Sequence, residues 1–78
     1  MDKKEILIKL GFTEDEDQVW IKKIVPYKSI IVDVEDNEEY KSCVYLREYI
    51  SCKPYENFLG YFDNEEILKK IVHMCKNK

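Results

Sequence analysis

The chain has 78 residues, 37% of them charged and 45% hydrophobic, with a formal net charge of -3. That balance suits one globular domain over residues 1–78 rather than a disordered segment. A negative chain of this size argues against a free-standing nucleic-acid binder, whose affinity rests on phosphate neutralisation. No apolar run approaches the roughly 18 residues of a membrane span.

The opening MDKKEILIKLGF is too short in apolar length for a secretory signal and has no small-residue cleavage site. The expected compartment is therefore the cytoplasm. Asp2 and Glu5 are spaced as a capping box, with Met1 and Ile6 as its hydrophobic staple. The helix they start carries Ile6, Leu7 and Leu10 on one face and stops at Gly11, a natural left-handed C-cap. Such a short helix needs tertiary packing to persist.

Residues 13–17, TEDED, read as an acidic loop. Residues 18–25, QVWIKKIV, are rich in β-branched and aromatic side chains and predict a strand ended by Pro26. Residues 29–35 form the most apolar strand, with Ile30, Val32 and Val34 on one face and Ile31, Asp33 and Glu35 on the other. Residues 36–38 are turn formers. Residues 39–52 form a long extended run. Alternation puts Val44, Leu46 and Ile50 on one face of it, and Cys43, Tyr45, Arg47 and Tyr49 on the other. Residues 53–57 read as a loop and 58–62 as a short fourth strand.

The last element is a helix over residues 63–75. Asp63 is its expected N-cap, with Glu66 completing a capping box and Phe62 and Ile67 a staple. Its apolar stripe is Ile67, Leu68, Ile71, Val72, Met74 and Cys75. The order α-β-β-β-(β)-α predicts an α+β fold: an antiparallel meander of three to four strands with both helices packed on one face.

Chemistry-bearing motifs are sparse. Cys43, Cys52, Cys75 and His73 offer no CxxC pair and no metal-finger spacing, so neither a metal site nor a cofactor is expected. There is no glycine-rich phosphate loop, GxSxG elbow or HExxH, so no catalytic residue stands out and the chain does not read as an enzyme.

Charge placement is more informative. Glu14, Asp15, Glu16 and Asp17 form one acidic run; Asp33, Glu35, Asp36, Glu38 and Glu39 form another. In an antiparallel meander the start of one strand lies beside the end of the next, so the runs converge at one end of the sheet. They serve either as a solvated, solubilising face or as a docking surface for a basic partner. Aromatic placement is the second clue. With the helices over Ile30, Val32 and Val34, the uncovered face is expected to carry Trp20, Tyr45, Tyr49 and Arg47, residue types enriched in binding hot spots. The alternative has these aromatics packing on cross-strand neighbours.

The LGF helix end, the Trp-containing strand and the closing GYFDNEEILKKI resemble a pattern in small accessory proteins of phages and mobile elements from low-GC Gram-positive bacteria, anti-CRISPR proteins among them. That resemblance implies a protein that binds and inhibits a host defence or nucleic-acid-handling protein through an acidic surface; the missing catalytic motifs, the negative charge and the lack of a long apolar run make it non-enzymatic, with no direct nucleic-acid or membrane contact expected. The partner-binding residues are then Glu14, Asp15, Glu16, Asp17, Asp33, Glu35, Asp36, Glu38 and Glu39, with Trp20, Tyr45 and Tyr49. The other expectation is a structural homodimer that uses its sheet face or a strand edge to compensate for a small core.

Overall fold

The computed structural model describes residues 2–34 and 42–76. Helix α1 (Lys3–Lys9) is followed by strands β1 (Thr13–Glu16), β2 (Val19–Val25), β3 (Lys28–Asp33), β4 (Ser42–Ile50) and β5 (Lys53–Phe62), and then by helix α2 (Glu65–Lys76). The strands form one antiparallel sheet in the order β1-β2-β3-β4-β5. The fold is α+β, and the meander has five strands where the sequence suggested three to four.

Helix α1 begins and ends as its sequence dictates. The Asp2 carboxylate accepts the Glu5 amide at 2.9 Å, which satisfies one of the first-turn donors that a helix cannot pair internally. At the other end Gly11, at φ 90°, donates to the Ile8 carbonyl, and Phe12 donates to Leu7. These two bonds are a Schellman closure, and they return Phe12 to the core beside Leu7. Met1, half of the expected staple, lies outside the described residues.

The register fixes which side chains share a face, because directly opposed residues in a ladder point the same way. Trp20, Val32 and Val44 form one cross-strand row, and Ile30 and Leu46 lie in the next. Both rows are buried under Ile6 and Leu7 of α1 and Leu68, Ile71, Val72 and Cys75 of α2, with Phe12, Val34 and Phe62 completing the core. Both helices therefore lie on one face, as the amphipathic stripes require. Lys3 sets its ammonium 5.7 Å from the centre of the Phe62 ring. Lys9 closes the helix pair with a 2.8 Å ion pair to Glu65.

Four local expectations are corrected. Residues 13–16 are a strand, not a loop: β1 pairs with β2 at the sheet edge, where all four side chains are exposed and acidic residues remain hydrated. Residues 53–57 are the first half of β5, not a loop, and Pro54 is accommodated because β5 is the other edge strand. The turn is instead Ser51–Cys52, with φ of 53° and 65°, the paired positive values of a type I′ hairpin. Helix α2 is capped by Asn64 rather than Asp63: the Asn64 side chain accepts the Ile67 amide at 3.1 Å. That shift of one residue removes the Phe62–Ile67 staple, and Phe62 is the last residue of β5; Ile67 and Met74 lie at the edge of the buried Leu68–Ile71–Val72–Cys75 arc and are exposed.

Candidate functional site

No element among the described residues covers the second face of the sheet, and its side chains follow from the same register. The row nearest the β1–β2 turn is Glu16, Val19, Asp33, Cys43 and Tyr61. The middle row is Thr13, Ile21, Ile31, Tyr45 and Phe58. The third is Lys23, Ser29, Arg47 and Glu56. The face therefore has a carboxylate end, an apolar and aromatic centre, and an end that carries Lys23 and an Arg–Glu pair.

The centre is built by packing within the sheet itself. Ile31 is only 5% exposed although no helix lies over it, because Ile21, Tyr45 and Phe58 flank it along the row. Tyr45 meets Phe58 edge-to-face at 5.6 Å between ring centres, and Phe58 meets Tyr61 at 5.1 Å. Each such pair adds about 0.5–1.5 kcal/mol beyond area burial. Even so, Phe58 and Tyr61 remain 52% and 51% exposed, so the aromatic cluster presents a broad apolar surface to solvent.

Electrostatics divide the face. Arg47 donates to Glu56 at 2.9 Å directly across the β4–β5 ladder. Burial acts to lower the Arg47 pKa, but the Glu56 carboxylate outweighs it and holds the guanidinium above its ordinary value. In the central row the Tyr45 hydroxyl is raised above its ordinary value, first by electrostatic interaction with Cys43 beside it, then by burial, with Asp33 and Tyr61 adding to the effect.

The structure brings together part of the acidic set. Glu16 and Asp33 lie in one row with Val19 between them, so the acidic runs converge through their described members. Glu14, Asp15 and Asp17 are exposed on β1 and its turn. Glu35, Asp36, Glu38 and Glu39 lie outside the described residues. Tyr45 and Tyr49 stand on the open face with Cys43 and Arg47, as alternation predicts; Tyr49 is exposed beyond the last β3–β4 pair, opposite Pro54.

Trp20 is corrected. It is 6% exposed, on the helix-covered face, and contributes nothing to the open surface. The cause is a bulge at Ile24. Val25 opposes Lys28, yet Lys23 opposes Ser29, so the ladder slips by one residue between them. Continued without that slip, the pairing would set Trp20 opposite Asp33, on the open face; with it, Trp20 opposes Val32.

Phe58 and Tyr61 share the open face for a similar reason. Three positions apart, they fall on opposite faces of a regular strand. The pairing moves from Val44–Gly60 to Tyr45–Phe58, which leaves Leu59 as the extra residue of a bulge and returns Phe58 to the side of Tyr61. Gly60, at φ 138°, is the sequence signal for that irregularity.

Cys43 is half-buried, Cys52 exposed and Cys75 buried, with no disulfide among them. Among the described residues no group of three or more His, Cys, Asp or Glu could hold a metal ion, and no helix is long and apolar enough to cross a membrane. Comparison with known proteins leaves the reading to these residues: no family model, no curated protein and no solved structure matches the chain.

Proposed function

We propose that the chain is a non-enzymatic protein-binding module of the cytoplasm that takes a basic protein partner on the carboxylate end of its sheet. The observation that carries this reading is the row Glu16–Val19–Asp33, continued onto the exposed Glu14, Asp15 and Asp17. Carboxylates gathered beside an apolar strip offer a basic partner charge attraction for encounter and apolar area for retention. Tyr45 and Tyr49 extend that surface along β4. The narrower form of the proposal is a phage or mobile-element inhibitor that occupies the basic site of a host defence or nucleic-acid-handling protein. The sequence resemblance supports that form, together with the acidic edge.

The test is affinity capture from host lysate with the tagged chain beside a Glu14→Lys/Asp15→Lys/Asp17→Lys variant. All three positions are exposed, and their replacement leaves the open face as it is. The expected result is a basic protein retained by the native chain at low salt and lost with the variant. Equal capture by both chains, with matching circular dichroism spectra, would overturn the acidic-surface mechanism.

A further inference from the structure

We infer that the open face is covered by a second copy of the same chain, the two sheets stacking face to face about a two-fold axis that runs across the strands. The inference goes beyond the partner contact but shares the Glu16–Val19–Asp33 row with it, so a second copy and a basic partner compete for that row; Glu14, Asp15 and Asp17 belong to the partner contact alone.

Self-complementarity is the reason for choosing a second copy. The three rows of the face run acidic, apolar, then basic. The acidic row holds Glu16 and Asp33; the third holds Lys23, while Arg47 and Glu56 neutralise one another. A two-fold axis along the apolar row lays each acidic row over the other copy's basic row. Because the axis preserves strand position, Lys23 of the second copy lands over Val19, between Glu16 and Asp33. Ile31, Tyr45 and Phe58 then meet their own counterparts. A two-fold axis along the strands would instead stack carboxylates on carboxylates, so the charge pattern selects between the two arrangements.

Edge pairing, the other route to a dimer, is blocked on both sides. Strand β1 is four residues long, acidic and bulged. Strand β5 carries Lys53, Pro54, Glu56 and the bulge at Leu59. Charges, proline and bulges on edge strands are the usual protection against edge-to-edge pairing. The unprotected apolar area is the face. Strands about 4.8 Å apart give it a footprint of a few hundred Å² per copy, toward the lower end of specific interfaces, so a weak dimer is expected. Stacked sheets lie about 10 Å apart, a gap that interdigitated Tyr45, Phe58 and Ile31 side chains fill.

The experiment is sedimentation equilibrium of the full chain from about 10 μM to about 1 mM, a range that spans weak association. The native chain is expected to move from monomer to dimer. Lys23→Glu alone and Glu16→Lys/Asp33→Lys alone are each expected to weaken self-association about tenfold or more, by setting like charges against each other. An equimolar mixture of the two variants is expected to restore it as a heterodimer. Phe58→Lys, which alters an exposed residue at the centre of the face, is expected to abolish association while the circular dichroism spectrum is kept. A native chain that stays monomeric at the highest concentration overturns the inference. So does a dimer that tolerates both charge variants, since that result places the contact elsewhere or rotates the axis. The Glu14→Lys/Asp15→Lys/Asp17→Lys variant keeps every charge of the dimer face, so loss of partner capture with self-association intact separates failure of one reading from failure of the other.

Discussion

The Lys9 ammonium lies 2.8 Å from Glu65 Oε1, joining the last turn of α1 to the first turn of α2 across 56 positions of sequence. Lys69 approaches the other carboxylate oxygen at 3.5 Å. Glu65 is held below the ordinary carboxylate value of 4.5, first by the hydrogen bond from Lys9, with Lys69 assisting and desolvation opposing. A carboxyl whose folded pKa is depressed contributes stability above its unfolded value, and loses that contribution as pH falls through the folded value. The Glu65→Gln variant should therefore be less stable than the native chain near neutrality and equal to it in acid, well below 4.5. Urea midpoints at both ends of that range give the check. A gap that persists unchanged in acid would show that the ion pair is not its source.

Gly11 serves two purposes, and they can be separated. Its φ of 90° is unfavourable for any residue with a Cβ, and a Cβ built there would fall 2.6 Å from Lys22 Nζ. Gly11→Ala should cost about 1–2 kcal/mol from the left-handed backbone alone. In a Lys22→Ala background the crowding disappears and only the backbone part remains. If the two backgrounds give the same loss, measured by denaturant unfolding, Lys22 yields freely and the backbone accounts for the whole cost.

The β4–β5 hairpin places two residues with side chains, Ser51 and Cys52, where both φ values are positive. Type I′ turns favour Asn followed by Gly, because those residues enter the left-handed region at least cost. Ser51→Asn/Cys52→Gly should raise stability by about 1 kcal/mol. Thermal unfolding measures it; a fall in the midpoint would mean the turn is held by contacts other than its own backbone preference.

The two consecutive apolar residues at the start of α2 should behave oppositely. Leu68 is completely buried, whereas Ile67 is exposed. Leu68→Ala should cost about 2–5 kcal/mol through lost transfer energy and the cavity left behind. Ile67→Ala should change stability by less than about 0.5 kcal/mol. Comparable losses at both positions would place Ile67 in the core beside Leu68.

That last pair shows where the sequence was readable and where it was not. Local rules were sufficient when one signal acted alone: Asp2, Gly11 and Phe12 specify both ends of α1 without competitors. They were insufficient when neighbours offered the same chemistry. Asp63 and Asn64 are both good caps, and the local pattern does not choose between them. Strand β1 was hidden because TEDE has poor intrinsic β-propensity and is ordered by pairing with β2, a non-local cause. On the candidate surface, Tyr45, Arg47 and Tyr49 followed from simple alternation along β4. Trp20, Phe58 and Tyr61 did not, because bulges at Ile24 and Leu59 change the parity of β2 and β5. A bulge is a relation between strands, and only Gly60 left a trace of one in the chain.

The bulge at Ile24 also determines what light can report about this molecule. Trp20 is the only tryptophan in the chain, and the slipped ladder seals it beneath the helices. Its emission is consequently a monitor of helix docking and global unfolding. It stands on the opposite side of the sheet from Tyr45, Phe58 and Tyr61, so an optical signal for occupancy of that surface has to come from tyrosine or from an attached dye.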